Sequence, residues 1–196
     1  MKNRHLLFLI VGLALTLHSC SSGEDPQPES DWYVKFQANG TAVAYSIDSP
    51  IQPMGFSLDQ STGLYLASTI ILGEGSDGTR DFFNIYLWNN EPFVVGQSYE
   101  MQDLFSINGA PSVRIHMNYA DSEGNLYNAV LRQREIAGMK ITDDASLRFT
   151  AITPEYVEGV FTGNLLGPMS NVTGRGDEEL VISSGIFRLP LVNQIP

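Results

Sequence analysis

The chain has 196 residues, 43% of them apolar, with 22 acidic residues against 11 basic ones and a formal net charge of −11. That length supports one domain with a real core rather than two, and the negative balance disfavours nucleic acid and anionic headgroups as partners. The single cysteine, Cys20, excludes intramolecular disulfides and a cysteine-based zinc site.

Lys2 and Arg4 precede an apolar run over 6–17, which leads into Leu17-His18-Ser19-Cys20. A basic start, a short apolar stretch and small residues before a cysteine make an export signal. The run has twelve residues, too few for a membrane span, which takes about 20. The Leu-x-Ser-Cys ending resembles the lipobox of bacterial lipoproteins. An ordinary signal peptide beside a chance cysteine is the competing reading, but Cys20 is the sole cysteine and stands at the cleavage point. The resemblance implies a diacylglycerol thioether on Cys20, cleavage before it and further acylation of the new N-terminus, so that lipid on Cys20 attaches the protein to a membrane. No free thiol then remains to act as a nucleophile. Loss of residues 1–19 removes Lys2, Arg4, His5 and His18. The remaining 177 residues keep His116 alone, with 9 basic against 22 acidic residues and a net charge of −13.

Residues 21–30 are small, acidic and proline-containing, cannot bury apolar surface, and read as an extended tether. Glu24 and Asp25 just after the cysteine resemble the acidic export signal of surface lipoproteins in Bacteroidota, which implies an outer-membrane, surface-exposed location; a merely solvated linker explains the same composition. The expected organisation is a signal over 1–19, a lipidated cysteine and linker over 20–31, and one β domain over 32–196.

From Trp32 the hydrophobic period is two. Trp32, Val34, Phe36 and Ala38 alternate with Tyr33, Lys35 and Gln37, and Asn39-Gly40 then leads into 41–46, the pattern of a tight hairpin. Further strand-like runs fall at 55–58, 64–72, 82–88, 112–119, 126–130, 139–142, 148–152, 156–165 and 179–192. Turn material separates them at 73–78, 89–92, Asn108-Gly109 and 121–125. Residues 129–136 are the one expected helical turn. About ten short strands at this spacing predict an all-β, antiparallel β-sandwich, with a closed or partly open β-barrel as the alternative.

Three segments of the C-terminal third form a recognisable pattern. They are Met139-Lys140-Ile141-Thr142, the run Val157-Glu158-Gly159-Val160-Phe161-Thr162-Gly163-Asn164-Leu165, and the final run from Val181 to Leu191. Together with the opening Phe36-Gln37-Ala38-Asn39-Gly40, this resembles uncharacterised Bacteroidota lipoproteins of the domain-of-unknown-function type. The resemblance implies fold and address, and brings no catalytic residues. A Gly/Asn-rich stretch over 167–178 reads as an inserted loop. Gly159 and Gly163 share a face with Phe161 and leave room for a ring against bare backbone, while the last strand should bury Phe187 and Leu189 and turn Arg188 outward.

Catalytic signatures are weak. A Ser-His-Asp triad would need His116, which alternation places with Arg114 and Asn118 opposite the apolar Val113, Ile115 and Met117, and no Gly-x-Ser-x-Gly elbow is present. Asp143-Asp144 and Glu178-Glu179 read as solvated turn-edge carboxylates, so a glycoside-hydrolase pair is not indicated. The 121–125 segment lacks the calcium-loop pattern and reads as a hairpin turn; Arg175-Gly176-Asp177 is too short a match to carry meaning. No catalytic residue, metal ligand or cofactor is assigned.

Aromatic residues carry the better signal. Phe82, Asn84, Tyr86 and Trp88 share one strand face, opposite the apolar Phe83, Ile85 and Leu87. Tyr86 and Trp88, with Asn89 and Glu91 beyond them, suit a platform on which sugar rings stack; the alternative is that both faces are buried between layers. The functional expectation is a membrane-anchored binding or interaction module for a glycan or another envelope protein. A surface hydrolase using carboxylates and a structural subunit of an outer-membrane complex are the other readings.

Overall fold

A computed structural model of the protein describes residues 30–47, 52–133 and 141–195. Cys20, the expected export signal and most of the expected tether lie outside these residues. Thirteen strands make up the regular structure, and no helix occurs among the described residues. In chain order they are β1 Tyr33–Ala38, β2 Thr41–Ser46, β3 Met54–Asp59, β4 Leu64–Leu72, β5 Phe82–Asn89, β6 Ser98–Glu100 and β7 Phe105–Ile107. There follow β8 Ala110–Ser112, β9 Ile115–Ala120, β10 Leu126–Ala129, β11 Asp144–Ile152, β12 Tyr156–Ser170 and β13 Gly174–Asn193.

The two longest strands, β12 with 15 residues and β13 with 20, organise the whole. Their mutual pairing holds a front layer in the order β2-β1-β13-β12-β11-β6. Leu191–Asn193 of β13 then pairs with β3, and Leu166 of β12 pairs with Asn128 of β10, which ties on a back layer in the order β3-β4-β5-β9-β10. The β13–β3 contact is the parallel exception in an otherwise antiparallel arrangement. The short β7–β8 ribbon stands apart. The layers meet face to face: Phe36 of β1 lies 5.3 Å from Phe83 of β5, Phe161 of β12 lies 5.0 Å from Phe83, and Phe149 of β11 lies 5.5 Å from Phe56 of β3, between ring centroids. Aromatic pairs at these separations add favourable edge and offset contacts to the burial itself. The molecule is the all-β sandwich that the alternation predicts, its two layers linked at opposite corners.

Period-two patterning decides which residues go inside. In β5, Phe83, Ile85 and Leu87 are buried and Phe82, Asn84, Tyr86 and Trp88 face out, half-buried. Asn39 and Gly40 (φ 49° and 81°) turn β1 into β2 with two residues, and Asn108-Gly109 (φ 51° and 79°) does the same between β7 and β8. Both are the left-handed conformations that Asn-Gly adopts at least cost. Asp121 closes the β9–β10 turn as expected, its Oδ1 accepting from the Glu123 and Asn125 amides, each at 2.9 Å.

Several expectations are corrected. The 167–178 stretch is not an inserted loop: β12 runs on to Ser170, β13 begins at Gly174, and a short turn joins them. Composition hid this because Gly167 and Gly176 read as loop residues, whereas they are there to let two backbones touch. A Cβ on Gly176 would overlap the Gly167 carbonyl. Rings do lie on bare backbone, but across strands rather than along one. Gly159 opposes Phe187 and Gly185 opposes Phe161, so each ring sits on its neighbour's glycine. The expected helical turn does not form over 129–133, where Ala129 ends β10 and the rest is irregular; 134–136 lie outside the described residues. Ile141 and Thr142 are likewise not in a strand, and β11 starts at Asp144 rather than 148. Strands β6, β7 and β8, three residues each, are too short for a periodic signal.

Candidate functional site

The outward face of the back layer assembles one continuous patch. Register places Ser68 of β4 opposite Tyr86 of β5, and Tyr86 opposite His116 of β9. Leu66 lies opposite Trp88, and Ile70, Asn84 and Asn118 form the next row. Tyr86 and Trp88 are half-buried, neither interior nor fully open. Their centroids are 5.9 Å apart with planes inclined by 21°, so the two rings stack with nearly parallel planes. His116 braces Trp88 edge-on at 4.7 Å, and Asn118 Nδ2 donates to Asn84 Oδ1 at 2.6 Å. These contacts fix the rotamers before anything binds, which lowers the entropic cost of binding.

Beside Tyr86 lies a shallow hollow of about 400 Å³, lined by Gln52, Gly55, Ser68, Ile70, Tyr86 and Gln194 among others. Gly55 contributes no side chain between β4 and the end of β13, and that absence is what leaves the depression. Amides, hydroxyls and the Tyr86 ring thus surround the hollow without a formal charge. Burial lowers the pKa of His116 below its ordinary value, so the imidazole is neutral at neutral pH and can donate or accept. Among the described residues no carboxylate is hydrogen-bonded to it.

The residues read from sequence separate into two groups. Tyr86 and Trp88 stand together on the patch. Asn89 is buried at 7% exposure, on the inward face with Leu87, and its Nδ2 donates to the Glu91 carbonyl at 2.7 Å; it shapes the turn after β5. Glu91 is exposed beyond that turn. Alternation already places Asn89 on the inner face, and it places Asn84 in line with the rings. Ser68, His116, Gln52 and Gln194 join only through strand pairing, which a single strand's pattern does not reveal.

A second polar centre lies at the layer junction. Asp143, expected in solvent, is fully buried. Its Oδ2 accepts from the Val130 amide at 2.9 Å, the Leu131 amide at 3.0 Å and Arg175 Nη2 at 2.6 Å. Arg175 Nη2 also reaches the Asn128 carbonyl, and the Asp143 carbonyl accepts from Gln102 and Gln133. Arg175 is therefore a strand residue held in a clamp, not the head of a free tripeptide. Asp144, its neighbour, is exposed, and Glu178 and Glu179 are exposed along β13 rather than at a turn edge.

The expectation for the last strand holds on the front layer. Phe187 and Leu189 are buried, and Arg188 turns outward to Glu158 at 2.6 Å, with its guanidinium 4.2 Å from the Tyr156 ring centroid. Compared with known proteins, the chain matches no family model, no curated protein and no solved structure.

Proposed function

We propose that the protein is a lipid-anchored envelope lipoprotein whose back-layer patch binds a neutral polysaccharide. One observation carries the binding reading: two nearly parallel, half-buried rings stand 5.9 Å apart on a central strand, beside a hollow bordered by amides and hydroxyls. The apolar faces of sugar rings pack against partly exposed aromatic rings of this kind, and their hydroxyls pair with uncharged amides. The anchor reading rests on Lys2, Arg4, the apolar run and Cys20, and the outer-membrane surface on Glu24 and Asp25 after it.

The test is co-sedimentation of the full-length protein with a panel of insoluble neutral polysaccharides. Trp88→Ala should weaken binding roughly 30-fold, as loss of an aromatic hot spot does, while the thermal midpoint stays within a few degrees. A wild type that binds none of the panel, or a variant that unfolds, would overturn the reading.

One observation favours a second reading, an envelope protein as partner. The edge strand β2 exposes Thr41, Ala42, Ala44 and Ser46 and carries neither charge nor proline, so its free backbone can accept an added strand.

A further inference from the structure

The outward face of the front layer holds a different cavity, built around a bulge. Phe161 pairs with Gly185 and Gly163 with Ile182, so Ser183 and Ser184 together oppose Thr162. Ser184 sits at φ 54°, a left-handed conformation that a residue with a side chain seldom adopts. A bulge re-aims side chains. Here Ser184 joins Ser146, Arg148, Val160, Thr162 and Ile186 around a cavity of about 310 Å³. Ser146 Oγ and Thr162 Oγ1 share a hydrogen bond at 2.9 Å. Cross-strand pairing runs Ile186, Val160 and Arg148 in one row, giving an apolar floor that ends in a cation.

The state of that cation is informative. Arg80, Arg114, Arg175 and Arg188 each have a carboxylate partner, at 3.9, 3.3, 2.6 and 2.6 Å. Arg148 is exposed and has no carboxylate partner among the described residues, in a chain with twice as many acidic as basic residues. Arg132 likewise has no carboxylate partner among the described residues, so what distinguishes Arg148 is its place: an exposed guanidinium without a counter-charge at the rim of a hydroxyl-lined cavity. Glu100 lies opposite Ser146, and Asp144 lines an adjoining hollow with Asn164 and Ser183. Glu100 accepts from the Ser98 hydroxyl and Asp144 from the Ala145 amide, and both carboxylates repel a second negative charge.

We propose that this cavity binds the carboxylate-bearing ring of a single uronic acid unit. Arg148 takes the carboxylate through two parallel N–H bonds. Ser146, Thr162 and Ser184 meet the ring hydroxyls, and Val160 and Ile186 meet its apolar face. The volume suits one sugar ring, near the lower end of the range for ligand sites. Phosphate lacks the apolar face, and a neutral sugar leaves Arg148 unused. The site is on the opposite layer from Tyr86 and Trp88, so it stands or falls independently of the polysaccharide reading.

Isothermal titration of the full-length protein with galacturonate, galactose and inorganic phosphate tests it. Galacturonate should bind at millimolar concentration, with galactose and phosphate each at least about tenfold weaker. Arg148→Gln should lower galacturonate affinity by about tenfold or more, Arg148→Lys should recover part of it, and Trp88→Ala should leave it unchanged. Because Arg148 is exposed, the thermal midpoints of both arginine variants should match the wild type. No galacturonate binding up to tens of millimolar, equal binding of galactose or phosphate, or full affinity in Arg148→Gln would each overturn the assignment.

Discussion

Replacing Asp143 with alanine removes a buried acceptor that three donors share. Its Oδ2 takes the Val130 and Leu131 amides and Arg175 Nη2, all within 3.0 Å, in a residue with no exposed surface. Deleting it orphans two backbone N–H groups at about 1–3 kcal/mol each and leaves a guanidinium, 13% exposed, without its counter-ion. Breaking a buried ion pair by removing one partner costs about 3–5 kcal/mol in all. Asp143→Asn keeps an oxygen for the same donors and loses only the charge, so it should cost about 2 kcal/mol. Guanidinium-chloride unfolding of both variants in a soluble Cys20→Ser background gives the free energies, and amide exchange at Val130 and Leu131 reports the clamp directly. A loss below about 1 kcal/mol for Asp143→Ala, or wild-type protection at those amides, would refute the idea that Asp143 holds the layer junction.

Cys20→Ser should release the protein into the soluble fraction, since no other stretch of the sequence is apolar enough to anchor it; unchanged membrane partitioning in cell fractionation would remove the anchor. Gly185→Ala puts a methyl group into the Phe161 carbonyl and ring, and should cost more than the roughly 1–3 kcal/mol of ordinary overpacking because backbone must move; its thermal midpoint checks this. His116 has a pKa lowered by burial, so its neutral form is favoured in the fold. Above about pH 6.5 both states are neutral and it contributes no slope. As pH falls below that value the unfolded chain takes up the proton first and stability drops, until the folded pKa is passed. His116→Gln should therefore flatten the stability profile just below pH 6.5 relative to the wild type, as measured by thermal unfolding.

Much of the fold is legible because period-two alternation is a local property. Val34, Phe36, Phe83, Ile85 and Leu87 announce their face without reference to any other strand, and Asn39-Gly40 states its turn in two residues. What hid was pairwise. Gly167 and Gly176 look like loop until it is known that Gly176 packs against the Gly167 carbonyl, and Asp143 looks solvated until Arg175, 32 positions later, is brought to it. The patch shows the same division. Tyr86, Trp88 and Asn84 belong together on one strand's pattern, while Ser68 and His116 are recruited by register, and the Ser184 bulge has no sequence signature at all.

Strand β13, last in chain order, pairs with β1, β12 and β3. The front layer therefore lacks its middle until residues 174–193 have been made, and the link from β1 to β12 that β13 supplies cannot form earlier. Pairing between strands about 150 positions apart closes a very long loop, so assembly is slow compared with local hairpins. For the exported lipoprotein proposed above, this delay would be an advantage. On that proposal the leading hairpin would cross a membrane while the rest is still threading, and stable tertiary structure would wait for the arrival of the final strand. Nascent chains halted at Ser170 should accordingly remain protease-sensitive across β1, and chains extended past Asn193 should become resistant together.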